Sequence, residues 1–94
     1  MKTRVVNMKT EAYDVRIDRR SKWGNPFKIG PGCTREHAIA CYEKHLHFHP
    51  ELMAALPELA GKRLGCWCKP RACHGDVLVK LIGEIIEKAK KVGE

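Results

Sequence analysis

The residues best suited to chemistry lie in one short stretch, from Cys66 to Asp76, with the sequence CWCKPRACHGD. It contains three cysteines, a histidine and an aspartate within eleven positions. Thiolates and imidazoles are ligands for zinc and for iron. A thiol beside an imidazole is also the pairing of a nucleophilic cysteine. The stretch therefore predicts a functional site, and its residue types leave three interpretations open.

The first interpretation is a metal site that holds zinc or iron, with Cys66, Cys68, Cys73 and His74 as the ligands. Cys66 and Cys68 lie two residues apart on one face of an expected strand, so their Cα atoms are about 6.6 Å apart. Structural zinc sites usually take their ligands from two separated pairs, however, and the adjacent Cys73 and His74 do not easily reach one ion. On this interpretation the protein is a non-enzymatic metal-binding module.

The second interpretation is a reactive thiol. Cys73 lies where a helix is expected to begin, and the unpaired N–H groups and dipole of a helix N-terminus lower a thiol pKa. His74 and Asp76 are then the proton carrier and the orienting acid, which makes Cys73, His74 and Asp76 the candidate catalytic residues. Asp76 suits a helix-capping role equally well.

The third interpretation assigns the stretch no chemistry. Cys66 and Cys68 are then small buried side chains, and His74 is a hydrogen-bonded corner residue. What remains on this interpretation is a basic interaction domain.

A second motif, Trp23 to Phe27 (WGNPF), follows a group of basic residues that includes Arg20. Cations beside aromatic rings suit phosphate contact and base stacking, and the amide of Asn25 suits a base edge or a ribose. Alternatively the loop packs onto the core and Asn25 holds the turn, with burial favoured for Phe27.

Arg35 extends this candidate binding surface because it begins the next expected helix, whose N-terminus favours anions. Arg20, Asn25 and Arg35 are expected to converge on one phosphate, and Lys69 and Arg71 add cations from the cysteine stretch. The predicted substrate-binding residues are Arg20, Trp23, Asn25, Arg35, Lys69 and Arg71.

The overall charge agrees with an anionic ligand. The chain of 94 residues has a formal net charge of +7 and a pI near 9.4, which favours a nucleic acid, a nucleotide or a phosphorylated metabolite. No apolar run approaches the roughly 20 residues of a membrane span, and the first residues do not have the pattern of a signal peptide. We therefore expect a cytoplasmic protein without a membrane partner.

Cysteines in a cytoplasmic chain are expected to be thiols or metal ligands. The chain has no glutamine and is rich in lysine and glutamate, a composition typical of hyperthermophile proteins. Because such organisms use intracellular disulfides, a bridge between Cys33 and Cys41 remains an alternative.

The elements that position these residues follow from apolar spacing and from capping residues. Thr34 suits an N-cap, Pro50 suits the first position of a helix, Pro57 should end that helix early, and Gly61 suits a C-cap. Strands are expected over residues 4–8, 13–18 and 64–68, and helices over about 35–47, from 50 and from 77.

The resulting order is β-β-α-α-β-α, a single α/β domain over residues 1–94 with a sheet of about three strands. This order places the cysteine stretch between a strand C-terminus and a helix N-terminus. Ligands usually bind at that position in α/β folds.

The two motifs, Trp23 to Phe27 and Cys66 to Asp76, resemble those of an uncharacterised domain family of bacteria, archaea and their phages. Residues 34–36 and 58–62 also look like the pattern of this family, so the resemblance covers nearly the whole chain. It implies a site that joins Asn25 with Cys68, Cys73, His74 and Asp76. The occurrence of the family in phage and prokaryotic genomes further implies nucleotide or nucleic-acid chemistry.

Overall fold

The computed structural model describes residues 2–92, with side chains as far as residue 89. The elements follow the predicted order, with a short 3₁₀ helix after the second α-helix. They are β1 (Arg4–Asn7), β2 (Val15–Arg16), α1 (Arg35–His47), α2 (Pro50–Ala55), the 3₁₀ helix (Leu56–Leu59), β3 (Arg63–Cys66) and α3 (Gly75–Val92). The predicted α/β class and the three-stranded sheet are confirmed.

The sheet is parallel and has the order β1-β3-β2. Leu64 in the central strand pairs with Val5 on one side and with Val15 on the other. Because parallel strands end at the same edge of a sheet, Cys66 leaves β3 between the ends of its two neighbours. The cysteine stretch therefore begins at the middle of the ligand-binding edge of the sheet.

All three strands are shorter than predicted, β1 by one residue at its end. β2 covers only Val15–Arg16, since the chain turns at Asp18, whose carbonyl accepts the N–H of Ser21 at 3.0 Å. β3 ends at Cys66 rather than at residue 68, because the next segment folds into a turn closed by the Arg71 N–H and the Cys68 carbonyl, 2.7 Å apart. The strand alternation expected for residues 66–68 therefore does not apply.

The helix boundaries agree with the predicted signals. The Thr34 hydroxyl accepts the N–H of His37 at 3.1 Å and caps α1. Pro50 begins α2, the 3₁₀ helix that contains Pro57 follows it at once, and Gly61 has a φ of +74°.

Gly75 lets α3 begin close against the sheet. A Cβ at this position would lie 2.7 Å from Cδ1 of Ile17 and 2.7 Å from Cγ2 of Val5, closer than carbon atoms can pack. The glycine therefore brings the segment just before α3, which contains Cys73 and His74, onto the edge of the sheet.

Cys33 and Cys41 are thiols in the structure rather than a disulfide. The Cys41 Sγ lies 3.5 Å from Nε2 of His37. Within residues 2–92, no helix is both long enough and apolar enough to cross a bilayer.

Candidate functional site

The WGNPF loop and the cysteine stretch line opposite sides of one cleft of about 540 Å³. We call one side the cationic wall, defined by Arg19, Arg20, Lys28 and Arg35. We call the other side the sulfur wall, defined by Cys66, Trp67, Cys68, Cys73 and His74. Two segments about forty residues apart in the sequence therefore share one hollow.

Asn25 lies in the cleft, but its amide is used to hold the loop. Its Oδ1 accepts the N–H of Phe27 at 2.9 Å, and its Nδ2 donates to the carbonyl of Ala38 at 3.3 Å. The backbone carbonyl of Asn25 also accepts Nε of Arg19 at 3.2 Å. Asn25 thus fixes the loop against α1 and places neighbouring side chains in the cleft.

The two aromatic residues of the loop are placed opposite to expectation. Trp23 is 2% exposed and belongs to the hydrophobic core, where Tyr42 Oη donates to its carbonyl at 2.7 Å. Phe27 is 39% exposed and lines the cleft. Between them, Gly24 lies directly against the backbone of Asp18 and Arg19, where a Cβ would lie 2.7 Å from the Asp18 carbonyl oxygen. The predicted burial of Phe27 is therefore wrong, and Trp23, predicted to contact a ligand, lies in the core instead.

Arg35 of the cationic wall bonds to the cysteine stretch: its Nη1 donates to the carbonyl of Ala72 at 2.9 Å. Arg35 thereby fixes the start of α1 against the cysteine turn. Arg20, Asn25 and Arg35, expected to converge on one phosphate, all line the cleft.

Asp18 is the one acidic side chain among the residues that line the cleft, and its charge is already compensated. Nε and Nη2 of Arg16 donate to its two carboxylate oxygens, each at 2.8 Å. These bonds, helped by Nε1 of Trp67 at 3.2 Å, hold the pKa of Asp18 below its ordinary value. The cleft therefore remains cationic.

Besides Trp23, three further residues predicted to belong to the site lie outside the set that lines the cleft: Lys69, Arg71 and Asp76. The Asp76 carboxylate accepts the N–H of Cys73 at 3.0 Å and pairs with Nζ of Lys69 at 3.3 Å. An acid in the first turn that bonds the N–H just before the helix is a capping residue. The capping alternative for Asp76 thus has a direct structural basis.

The three cysteines of the sulfur wall bring their Sγ atoms together, all within 4.8 Å of one another. The Sγ atoms of Cys66 and Cys73, both 1% exposed, are 3.1 Å apart. Backbone N–H groups point at two of the sulfurs: that of Cys68 at Cys66 and that of Gly75 at Cys73, each at 3.4 Å. This cluster can hold a metal ion.

The two buried thiols differ in acidity. A hydrogen bond from the Cys73 thiol, with help from nearby backbone N–H groups, lowers the pKa of Cys66 to about 6. The same bond and burial raise the pKa of Cys73. The lowered pKa that the helix N-terminus predicts for Cys73 is therefore not found, because burial and the neighbouring Cys66 thiol act in the opposite direction.

His74 lies beside the cysteine cluster rather than within it. Burial lowers its pKa, and Nε2 lies 2.7 Å from the carbonyl of Ile17, to which a neutral ring donates. Nδ1 then faces Sγ of Cys73 at 3.5 Å as an acceptor. The ring also packs edge-on against Tyr42, with centroids 4.8 Å apart. His74 therefore links the cysteine turn to the end of β2.

Among the cationic and aromatic side chains of the cleft, Arg19, Lys28 and Trp67 are not in the predicted set of site residues, although Arg19 belongs to the basic group noted before the WGNPF motif. Arg19 and Lys28 flank the WGNPF loop, so a count of cations on both sides of that motif would have found them. Trp67 is 56% exposed, and its position between Cys66 and Cys68 was the available signal.

The chain belongs to the family described as Domain of unknown function (DUF4326), whose profile matches residues 2–84. It is 36% identical over 88 residues to the "Uncharacterized 12.4 kDa protein in nrdA-td intergenic region" of Enterobacteria phage T4, covering 89% of this chain and 81% of the phage protein. It is 37% identical over 76 residues to "Uncharacterized protein R718" of Acanthamoeba polyphaga mimivirus, covering 72% of this chain and 57% of that protein. No solved structure matches the chain. The expected membership in an uncharacterised family with phage relatives is confirmed.

Proposed function

We propose that the cleft binds a phosphate-bearing nucleoside, either as a free nucleotide or as one unit of a single-stranded nucleic acid. One observation carries the proposal: a single cleft joins four cationic side chains with the exposed rings of Phe27 and Trp67. A phosphate group requires cationic side chains, and a nucleobase can stack on exposed aromatic rings.

The cationic wall supports the phosphate part of the proposal. Among the described residues, the side chains of Arg20 and Lys28 have no ion-pair or hydrogen-bond partner. They can therefore meet a ligand without first breaking a contact. Arg19 and Arg35 are held by backbone carbonyls of the loop and the turn, which reduces the ordering cost of binding.

The aromatic rings support the nucleoside part. Nε1 of Trp67 donates to Asp18, which holds the exposed indole at the cleft. Base stacking on an aromatic side chain contributes about 1–3 kcal/mol. The volume of about 540 Å³ falls within the roughly 300–1,000 Å³ of small-molecule sites.

The proposal is one of binding. Cys73, the nucleophile expected from the sequence, is buried, and burial beside Cys66 raises its pKa. Both features disfavour its attack on a ligand.

The test is calorimetric titration at low ionic strength with adenosine monophosphate and with a short single-stranded oligonucleotide. We expect Arg20→Gln and Lys28→Gln each to weaken binding about tenfold through loss of a charge-assisted contact. Lys88→Gln removes the same charge from the exposed surface of α3, away from the cleft, and should change affinity less than twofold. Equal losses in all three variants, or no binding of either ligand, would overturn the proposal.

A second pair of ligands separates the two parts of the site. Trp67→Ala should weaken the binding of adenosine monophosphate by about 1–3 kcal/mol. The affinity for inorganic phosphate should be unchanged. Equal effects on both ligands would remove base stacking from the proposal.

A further inference from the structure

We propose that Cys66, Cys68 and Cys73 bind one thiophilic divalent ion, zinc being the representative of its class, with a fourth coordination position open to the cleft. This inference goes beyond nucleotide binding and does not depend on it. It rests on the geometry of the three sulfurs, on the groups that face them, and on where the cluster lies.

The sulfur spacing suits a single ion. A tetrahedral zinc ion with Zn–S bonds of about 2.3 Å holds its sulfurs about 3.8 Å apart. The closest pair in the structure is 3.1 Å apart, and all three sulfurs lie within 4.8 Å of one another. The sulfur–sulfur distance of about 3.8 Å that the ion requires thus lies between these two values. A four-iron cluster, in which each cysteine binds a different iron, would need the sulfurs farther apart.

The surroundings suit bound thiolates. The N–H groups of Cys68 and Gly75 point at the sulfurs of Cys66 and Cys73, and such donors orient and stabilise metal ligands. A divalent ion with three thiolates carries one net negative charge, which the neighbouring cationic wall compensates. Binding releases the protons of those thiols that still carry them.

The fourth position has no ligand from the described part of the chain. No histidine, cysteine or acidic ligand atom of the described residues joins the group of three sulfurs. His74 is the nearest imidazole, but its Nε2 bonds to Ile17 and its Nδ1 faces the sulfur of its sequence neighbour, Cys73. We therefore assign His74 a positioning role beside the ion.

All three cysteines line the cleft, and the inference places the open position on that side. Three protein ligands with an exchangeable fourth are the pattern of reactive zinc sites, whereas structural sites are closed by four. The fourth ligand is then water or a donor atom of the molecule in the cleft.

The experiment uses cobalt(II) as a spectroscopic probe, added to the reduced full-length chain. We expect one cobalt ion per chain, thiolate-to-cobalt charge-transfer bands, and visible bands of tetrahedral intensity. Cys66→Ser, Cys68→Ser and Cys73→Ser should each weaken binding on the order of a hundredfold or more. The matched control is the double variant Cys33→Ser/Cys41→Ser, which should bind as the parent does. Absence of uptake by the parent, or unchanged uptake when all three cluster cysteines are replaced by serine together, would overturn the site.

The open coordination position is tested by a separate spectroscopic measurement. Azide added to the cobalt protein should shift the visible bands, and His74→Ala should leave their positions unchanged. If azide leaves the visible bands unchanged and His74→Ala shifts them, the site is closed and His74 is the fourth ligand. That result would overturn this part of the inference.

The proposal of ion binding and the proposal of nucleotide binding can be tested separately. Arg20→Gln should bind cobalt as the parent does, and the nucleotide titration is repeated on metal-free protein. If the parent protein binds the nucleotide but not cobalt, the metal site is rejected and the nucleotide proposal stands. If it binds cobalt but not the nucleotide, the nucleotide proposal is rejected and the metal site stands.

Discussion

The two walls of the cleft are built on different physical principles. The cationic wall is a loop whose backbone is held by side chains such as Asn25 and Arg19, while charged groups such as Arg20 remain exposed. The sulfur wall is a turn between a central strand and a helix, and Cys66 and Cys73 in it are almost fully buried. From this difference we expect that substitutions of exposed cations in the first wall change the affinity for the proposed ligand with little effect on stability, whereas substitutions in the second wall also destabilise the fold.

The largest expected effect tests that coupling. His74→Ala removes a buried contact to the Ile17 carbonyl and the packing against Tyr42. We expect the free energy of unfolding to fall by about 2–4 kcal/mol, measured by urea denaturation of the metal-free protein. His47→Ala, which removes an exposed histidine from α1, should cost less than about 0.5 kcal/mol. If the two variants were equally stable, the sulfur wall would not be coupled to the fold.

The same measurement on the cationic wall sharpens the contrast. Arg20→Gln should leave the free energy of unfolding within about 0.5 kcal/mol of the parent, although it weakens phosphate binding. A large loss of stability in Arg20→Gln would erase the distinction between the walls.

Arg35 should give an intermediate result because it belongs to both walls. Arg35→Gln breaks the hydrogen bond to the Ala72 carbonyl and removes a cation. We expect nucleotide affinity to fall about tenfold and amide hydrogen exchange in residues 67–73 to accelerate. Arg20→Gln is the control, with a similar loss of affinity and unchanged exchange. Unchanged exchange in Arg35→Gln would mean that the walls are held independently.

The smallest expected effect concerns Asp18, the acidic residue of the cleft. Contacts with Arg16 and Trp67 lower its pKa below the ordinary 3.8, so they favour the ionised form. The stability they contribute is present above that ordinary pKa and is lost as the pH falls through the lower folded value. Carboxyl NMR should show Asp18 titrating below 3.8, with the indole N–H of Trp67 shifting in the same range. Titration at or above the ordinary value would contradict these contacts.

Local signals predicted the helices well. Thr34, Pro50, Pro57 and Gly61 each act within their own turn of chain, so their effects could be inferred from neighbours in the sequence. The position of the cysteine stretch after a strand and before a helix was predictable for the same reason.

Side-chain burial was less predictable because it depends on distant partners. Trp23 lies in the core since Tyr42, nineteen positions later, bonds to its carbonyl, and no local pattern distinguishes Trp23 from Phe27. The acidity of Cys73 likewise depends on Cys66 across the turn, not on the start of the helix alone. Sequence reasoning therefore predicted the two segments that line the candidate cleft, but not the burial and contacts of several side chains within it.

We propose that both walls of the cleft contact one ligand. The most direct test is an NMR titration of isotope-labelled protein with adenosine monophosphate, following backbone amides, the Trp67 indole N–H and the arginine Nε–H signals. We predict saturable shifts in residues 19–28, in Arg35 and in residues 66–74, all with one dissociation constant, while the buried indole of Trp23 moves little. Shifts confined to one wall, or clustered at the other hollow beside β1 and Pro70, would contradict the account.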